Sequence, residues 1–294
     1  MTKPAVAVIG SRGFLGRATV RALLRAGVPV QEYTRDRSFL DRHGRIASDI
    51  EGVRTVVWLV SSINPRVAEE SPDLIGRDRA AMESLIEGLH QLDAPPRVVN
   101  LSSGGTVYDT ATTPPYDESA PTGPTGAYGK AKLMFEGLLV DSGLPGTSLR
   151  LSNAYGPGQP TRPGQGVVAH WLAAALAGRP LHIFGDGDAV RDFVFVDDVA
   201  DAIVAACTSE HVPPVVNVGS GQPTSLRQLA EIVLTAVADP ALEITLDPGR
   251  SFDEARTWLD VSLARSALGW APRTTLADGV ARQVAGLRAG VDRS

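Results

Sequence analysis

The stretch "AVAVIGSRGFLGRATVRALLRAG" (residues 5–27) limits the possible folds of this chain more than any other. A short apolar run, "AVAVIG" (5–10), ends in glycine. "GRATVRALLRAG" (16–27) then places apolar residues at helical spacing ahead of a glycine stop. Between the two, Gly10, Gly13 and Gly16 stand in the spacing GxxGxxG rather than GxGxxG. Glycines in such a loop let the backbone approach a pyrophosphate, whose charge rests on the amides of the helix N-terminus. A glycine triplet by itself also fits a plain tight turn. Its place between a first strand and a first helix favours a dinucleotide site.

The same alternation continues. "VPVQEYT" (28–34) is a second strand candidate, a third short strand is expected ahead of Asp49, and "TVVWLV" (55–60) is a buried strand. A helix is expected over 76–92, a strand over 97–103 ("RVVNLSS"), a helix over 127–143, and a strand over 147–156 that enters a loop. Strands separated by helices imply an α/β protein with a doubly wound parallel sheet. After Pro157 the Gly- and Pro-rich run "GPGQPTRPGQG" (156–166) marks the edge of a smaller lobe. A helix over 167–178 and short elements are expected to follow. The predicted division is 1–165, with part of 190–218 returning to it, and 166–294.

Composition narrows the partners. The 294 residues are 43% hydrophobic and 21% charged, enough to bury a normal core. A net charge of −5 supplies no basic field for nucleic acid. No apolar run approaches the ~20 residues of a membrane span, and Gly10 and Arg12 come too early for a signal peptide. Cys207 is the sole cysteine and reads as a small core residue, and the five histidines are scattered without metal-ligand spacing. No metal is expected, and a soluble cytoplasmic protein is.

Tyr128 and Lys132 lie four apart on a predicted helix, so their side chains share a face. A tyrosine, with an ordinary pKa of ~10, needs help to act as an acid or base near neutral pH, and a nearby ammonium favours its phenolate. The plain alternative is an aromatic–lysine pair on a surface. With only Lys3, Lys130 and Lys132 in the chain, that spacing seldom arises by accident.

These features, followed in order by "LSNAYGPGQ", "FGDGDAVRDFVFVDDVADAI" and "NVGSG", resemble the extended short-chain dehydrogenase/reductases. The chain is most similar to their nucleotide-sugar epimerase/dehydratase/ketoreductase branch, over nearly its whole length. The resemblance implies a Rossmann-like lobe for NAD(P) and a smaller C-terminal α/β lobe for a nucleotide-diphosphate sugar. Tyr128 would be the acid/base at the sugar C4 oxygen. Lys132 would hold the nicotinamide ribose and depress the Tyr128 pKa. The cofactor set it implies is Gly10, Ser11, Arg12, Gly13, Phe14, Leu15, Gly16, Thr34, Arg35, Asp49, Ile50, Leu59, Val60, Tyr128, Lys132 and Leu151. Asp49 is placed at the adenine edge, where a solvated loop acid is the plainer reading.

In "LSSGGTVY" (101–108), Gly104 stands where the family carries a hydroxyl that orients the sugar oxygen. Ser103 or Thr106 takes over, or Tyr128 works alone; Ser103 is favoured as a catalytic residue. The stretch also lacks the acidic pair of the 4,6-dehydratases, which argues against that dehydration. Ser103, Gly104 and Thr106 are then substrate-facing. So are Asn153, Phe184 as a stacking face for the base, and Arg191 and Arg250 as forks on the diphosphate. Ordinary core packing for Phe184, and ion pairs with Asp192 and Asp253 for the arginines, are the alternatives. Which base is bound is not readable.

Thr34 falls where NAD users of the family have a ribose-binding aspartate. Its hydroxyl does not repel a 2′-phosphate, and Arg35 and Arg12 can pair with one, so NADP(H) is favoured over NAD(H). The leading expectation is an NADPH-dependent reductase of a nucleotide-linked 4-keto (deoxy)sugar. An NAD-dependent UDP-sugar 4-epimerase is the second, and a weakly catalytic binding protein the third. A homodimer through 76–92 and 127–143 is expected from the family.

Overall fold

The computed structural model describes residues 5–239, 242–248 and 256–290. From the N-terminus the elements are β1 (Val6–Ile9), α1 (Phe14–Arg25), β2 (Val30–Tyr33), β3 (Thr55–Trp58), α2 (Pro65–Glu70), α3 (Asp73–His90), β4 (Arg97–Ser103), α4 (Ala127–Asp141) and β5 (Gly146–Leu151). There follow β6 (Asn153–Tyr155), α5 (Val167–Leu176), β7 (Leu181–Phe184), β8 (Val190–Arg191), β9 (Phe193–Phe195), α6 (Val196–Thr208) and β10 (Val215–Val218). The chain closes with β11 (Thr224–Ser225), α7 (Leu226–Val237), β12 (Ile244–Asp247), α8 (Ser262–Leu268) and α9 (Leu276–Arg288).

Six strands form one parallel sheet in the order β10-β5-β4-β3-β1-β2. Period-2 alternation sends its side chains into two separate cores. Val6, Val8, Val57 and Val99 pack with Val20 and Leu23 of α1 and with Val199 and Ile203 of α6. Ala7, Ile9, Val56, Trp58 and Val98 pack with Met82 and Leu85 of α3 and with Phe135 and Leu139 of α4. Helices thus cover both faces, which is why these strands are apolar on both sides. The fold is α/β and Rossmann-like. The chain leaves β1 for β2 on one side and returns to β3 on the other, which makes the β1/β3 boundary the switch point where α/β sheets bind ligands.

A third apolar cluster joins Trp171 and Leu172 of α5, Leu181 and Ile183 of β7, Leu229 and Val233 of α7, and Val280 and Val284 of α9. Ala18 and Ala22 of α1 reach into it and tie it to the sheet. Three two-stranded ladders, β6–β9, β7–β12 and β8–β11, complete this part.

Three expectations need correction. The single strand over 147–156 is two: the Ser152 amide still donates to Val218 O (2.9 Å), but the Asn153 amide donates to Asp192 O (3.0 Å), so the chain changes partner between them. No third strand precedes Asp49; that stretch holds an isolated Leu40–Ile46 bridge and a single 3-10 turn, Ser48–Ile50. The C-terminal part, read as short elements, carries the 12- and 13-residue helices α7 and α9. Their start signals are in the sequence. Ser225 and Gln228 form a capping box, and the Thr275 hydroxyl accepts from the Asp278 amide.

Candidate active site

Gly10 closes β1 with φ +92°, and a Cβ there would lie 3.1–3.3 Å from the backbone of Leu59 and Val60 at the end of β3. At Gly16, inside the first turn of α1, a Cβ would come within 2.6 Å of the Ser11 carbonyl oxygen and nearer still to that of Gly10. The first and third glycines are therefore demanded by packing, whatever is bound. Gly13 is the N-cap of α1 and offers no side-chain cap, and the first turn holds no acid. The leading amides of α1, Phe14 and Leu15 among them, thus keep the positive end of the helix uncompensated beside the switch point. Buried Ser11 ties the loop to β2: its hydroxyl and amide donate to Tyr33 O at 3.3 and 3.2 Å. An uncapped helix end behind a glycine turn fits a dinucleotide pyrophosphate.

At the end of β2 the chain turns sharply. Thr34 Oγ1 accepts from the amides of Asp36 and Arg37, both at 3.2 Å. Arg12 Nη1 meets Asp36 Oδ2 at 2.6 Å, and Arg37 Nη2 meets Asp49 Oδ2 at 2.5 Å. Asp49 also accepts from the Tyr33 hydroxyl, so its carboxylate is held against β2 by two partners. Ile50 is fully buried and donates its amide to Ala47 O (2.9 Å). Arg35 is exposed and has no ion-pair partner among the described residues. Sequence reading found Arg12 and Arg35 but not Asp36.

Tyr128, Lys132 and Glu136 follow one another at four-residue intervals on α4, which packs on β4. Buried Lys132 donates from Nζ to Leu101 O (3.1 Å), with Nζ 5.5 Å from the Tyr128 ring centroid. Burial pulls the Lys132 ammonium down to about 8, partly offset by the carboxylates of Asp78 and Glu136. Burial pushes the Tyr128 phenol up to about 12. The expectation that Lys132 depresses the Tyr128 pKa is therefore not met. Desolvation outweighs an ammonium whose hydrogen bond goes to a carbonyl. Near neutral pH the pair is a protonated phenol beside a cation, and burial makes that phenol a weaker acid than a free tyrosine.

The end of β4 lies alongside β5, where Ser103 pairs with Leu151 and the Gly104 amide donates to Leu151 O (2.7 Å). A Cβ at Gly104 would sit 2.6 and 2.9 Å from the two methyls of Leu259 and 3.2 Å from Arg150 O. Leu259 thus takes the space in which the family resemblance places a hydroxyl. Ser103 is half-buried. The Thr106 hydroxyl is buried without a hydrogen-bond partner. The Thr106 carbonyl lies so close to Gly129 that a Cβ there would overlap it, which sets Thr106 against the first turn of α4.

On the other side of the crevice, the Asn153 amide and Nδ2 both donate to Asp192 O at 3.0 Å. The buried Asp192 carboxylate accepts from the Ser220 amide (2.7 Å) and hydroxyl (2.6 Å) and from the amides of Gly221 and Leu259. It therefore clamps β9 to the 219–221 turn and the 256–260 segment. Arg191 is half-buried, and its Nη1 donates to Val190 O (2.9 Å). Phe184 ends β7 at 37% exposure, which removes the core reading. Arg250 lies outside the described residues. Leu259 and Arg150 carried no local signal. Glu136 did, as the next step of the Tyr128–Lys132 spacing. Among the described residues no His, Cys, Asp or Glu cluster could hold a metal, and no helix is long and apolar enough to cross a membrane.

Known proteins agree with this arrangement. A UDP-glucose 4-epimerase of Mycolicibacterium smegmatis is 37% identical over 76% of this chain and 70% of its own. A dTDP-6-deoxy-L-talose 4-dehydrogenase (NAD(P)(+)) of Kitasatospora kifunensis is 33% identical over 95% and 94%. The crystal structure of the Thermotoga maritima UDP-glucose 4-epimerase with UDP-glucose superposes with a TM-score of 0.86 at 27% identity, covering 97% of this chain and 99% of that one. Residues 6–219 match the NAD dependent epimerase/dehydratase family, and the chain belongs to it.

Proposed function

We propose that this protein is an NADPH-dependent reductase of a nucleotide-linked 4-keto (deoxy)sugar. The observation that carries the reading is the end of β2, where Thr34 stands in place of an acid and exposed Arg35 has no ion-pair partner among the described residues. A ketone reduction consumes a hydride in each turnover and must exchange its cofactor, which suits a ribose pocket that tolerates a 2′-phosphate. Tyr128, whose phenol burial keeps protonated, is the proton donor in this step. A reduced dinucleotide, its pyrophosphate held by the glycine loop and its nicotinamide ribose by Lys132, would supply the hydride. Tyr128 gives its proton to the C4 oxygen, and Lys132 stabilises the phenolate left behind. Ser103 or Thr106 orients that oxygen, and Asn153, Arg191 and Arg250 hold the diphosphate sugar with Phe184 against the base. In this reading the dinucleotide part is 1–165 with part of 190–218, the sugar-nucleotide part is 166–294, and α3 and α4 pair two copies.

Two relatives that align along nearly their whole length support the choice. The Kitasatospora protein is named as a 4-dehydrogenase using NAD(P)(+), and a dTDP-4-dehydro-6-deoxyglucose reductase of Escherichia coli is 26% identical over 97% of this chain. For the cofactor, the support is Thr34 in place of an acid, with Arg12 and Arg35 beside it. The second reading, a UDP-sugar 4-epimerase, is favoured by the 37% identity to the mycobacterial enzyme. Mixing purified protein, NADPH and a dTDP-4-keto-6-deoxyhexose separates the two. The proposal expects substrate-dependent loss of reduced-cofactor absorbance. No loss, with tightly held NAD in the purified protein, would support the epimerase.

A further inference from the structure

A buried ion pair lies one helical turn beyond Lys132. Arg150 Nε reaches Glu136 Oε1 and Oε2 at 3.0 and 3.3 Å, and Nη2 reaches Oε2 at 2.8 Å. The two side chains are only 7% and 8% exposed. The Arg150 guanidinium also lies 4.9 Å from the Tyr108 ring centroid, and Tyr108 donates to Asn217 Oδ1 (2.7 Å). Arg150 Nη1 is buried without a partner, so the pair is incompletely satisfied. Buried ion pairs of this sort add little stability over apolar packing. Its position next to the acid–base residues calls for another reason.

We infer that Arg150 is a positioning residue for Lys132 that acts through Glu136. By taking both carboxylate oxygens of Glu136, it withholds that carboxylate from Lys132 Nζ and leaves Nζ on the Leu101 carbonyl beside Tyr128. Residues four apart on a helix are neighbours, so an unshared Glu136 would draw Nζ away from Tyr128 and bind its proton more tightly. The other acids around Lys132 are held by backbone amides and not by a cation. Asp78 of α3, a larger influence on Lys132 than Glu136, accepts from the Ser62 amide at 2.6 Å. Tyr128 is neutral near pH 7. Glu69 of α2 accepts from the Ala127 amide at the head of α4 (2.7 Å). Glu136 is therefore the carboxylate whose availability a partner cation sets. The proposal rests on reading Tyr128 and Lys132 as the acid–base pair.

The chain has three lysines, Lys3, Lys130 and Lys132. Lysine labelled with carbon-13 at Cε therefore reports each titration by NMR without cofactor or substrate, and Lys132→Met assigns the signal. In the wild type Lys132 is expected to titrate near pH 8, below the ordinary lysine value of about 10.4. Arg150→Gln is expected to raise that midpoint by about one pH unit. Glu136→Gln/Arg150→Gln returns it to the wild-type value or below. An unchanged or lower midpoint in folded Arg150→Gln overturns the inference. So does a double variant that titrates as high as the single one, because packing rather than Glu136 would then be the cause. If Arg150→Gln does not fold, Arg150→Lys keeps the charge without the fork and must still raise the midpoint, by less; no rise overturns the inference. Failure of the catalytic reading shows elsewhere, as undiminished turnover by Tyr128→Phe, and leaves these titrations unaffected.

Discussion

Leu259 fills the space in front of Gly104. A side chain at position 104 would begin 2.6 and 2.9 Å from its two methyls, in a site where Leu259 is 1% exposed and held by its own amide on Asp192. A leucine from the C-terminal part of the chain thus packs against the end of β4. The missing hydroxyl and the placement of the 256–260 segment are one feature.

Gly104→Ser should then destabilise the protein by about 1–3 kcal/mol through overpacking. Leu259→Ala should also destabilise it. The double variant should lose less than the two singles together, by about 1 kcal/mol or more. Urea unfolding of the four proteins measures the coupling, and simple additivity would contradict the contact.

Tyr128→Phe should lower turnover by about 10²–10⁴, the usual contribution of a positioned acid. Dinucleotide affinity, measured by quenching of tryptophan fluorescence, should stay within a few-fold of wild type. Retained turnover would remove Tyr128 from the chemistry.

Lys132 makes stability depend on pH in a defined direction. Its folded value, about 8, lies below the unfolded one, about 10.4. Between those values the unfolded chain binds more protons, so stability rises with pH across that window. Below pH 8 the full cost of burying the ammonium is present. Relative to Lys132→Met, the wild type should therefore gain up to about 3 kcal/mol between pH 8 and 10. Chemical denaturation of both proteins across that range gives the difference, and a flat difference would show that Lys132 titrates normally.

Arg35→Ala should weaken NADPH binding about tenfold or more, the loss of one charge-assisted contact, and leave NADH binding nearly unchanged. Arg12→Ala should act in the same direction but less, because Arg12 already shares its charge with Asp36. Fluorescence titration with the two reduced cofactors reads both effects. Equal losses for NADH and NADPH would argue that neither arginine meets a 2′-phosphate.

Much of the fold was legible because its signals are local. The run from Val6 to Gly27 has a continuous apolar strand, a glycine turn and a helical repeat within one window, and β3, β4 and α4 are also marked by local patterns. The Tyr128–Lys132 pair was legible because helix geometry converts a four-residue spacing into a shared face. What the sequence hid depends on partners far along the chain. The break at Ser152 exists because the next amide finds Asp192, and Gly104 makes sense only with Leu259 in place. The protonation of Tyr128 was misjudged for a related reason. Spacing shows which charge is near, whereas the depth of burial that outweighs it comes from the packing of whole elements.

The most direct test of the proposed chemistry is hydride tracing. NADPH deuterated at the transferable position is incubated with a dTDP-4-keto-6-deoxyhexose and the protein, and the product sugar is examined by mass spectrometry and proton NMR. The account predicts one deuterium at C4 and one NADP⁺ formed per sugar reduced. Unlabelled product with no net NADP⁺, together with interconversion of UDP-glucose and its C4 epimer, would contradict it.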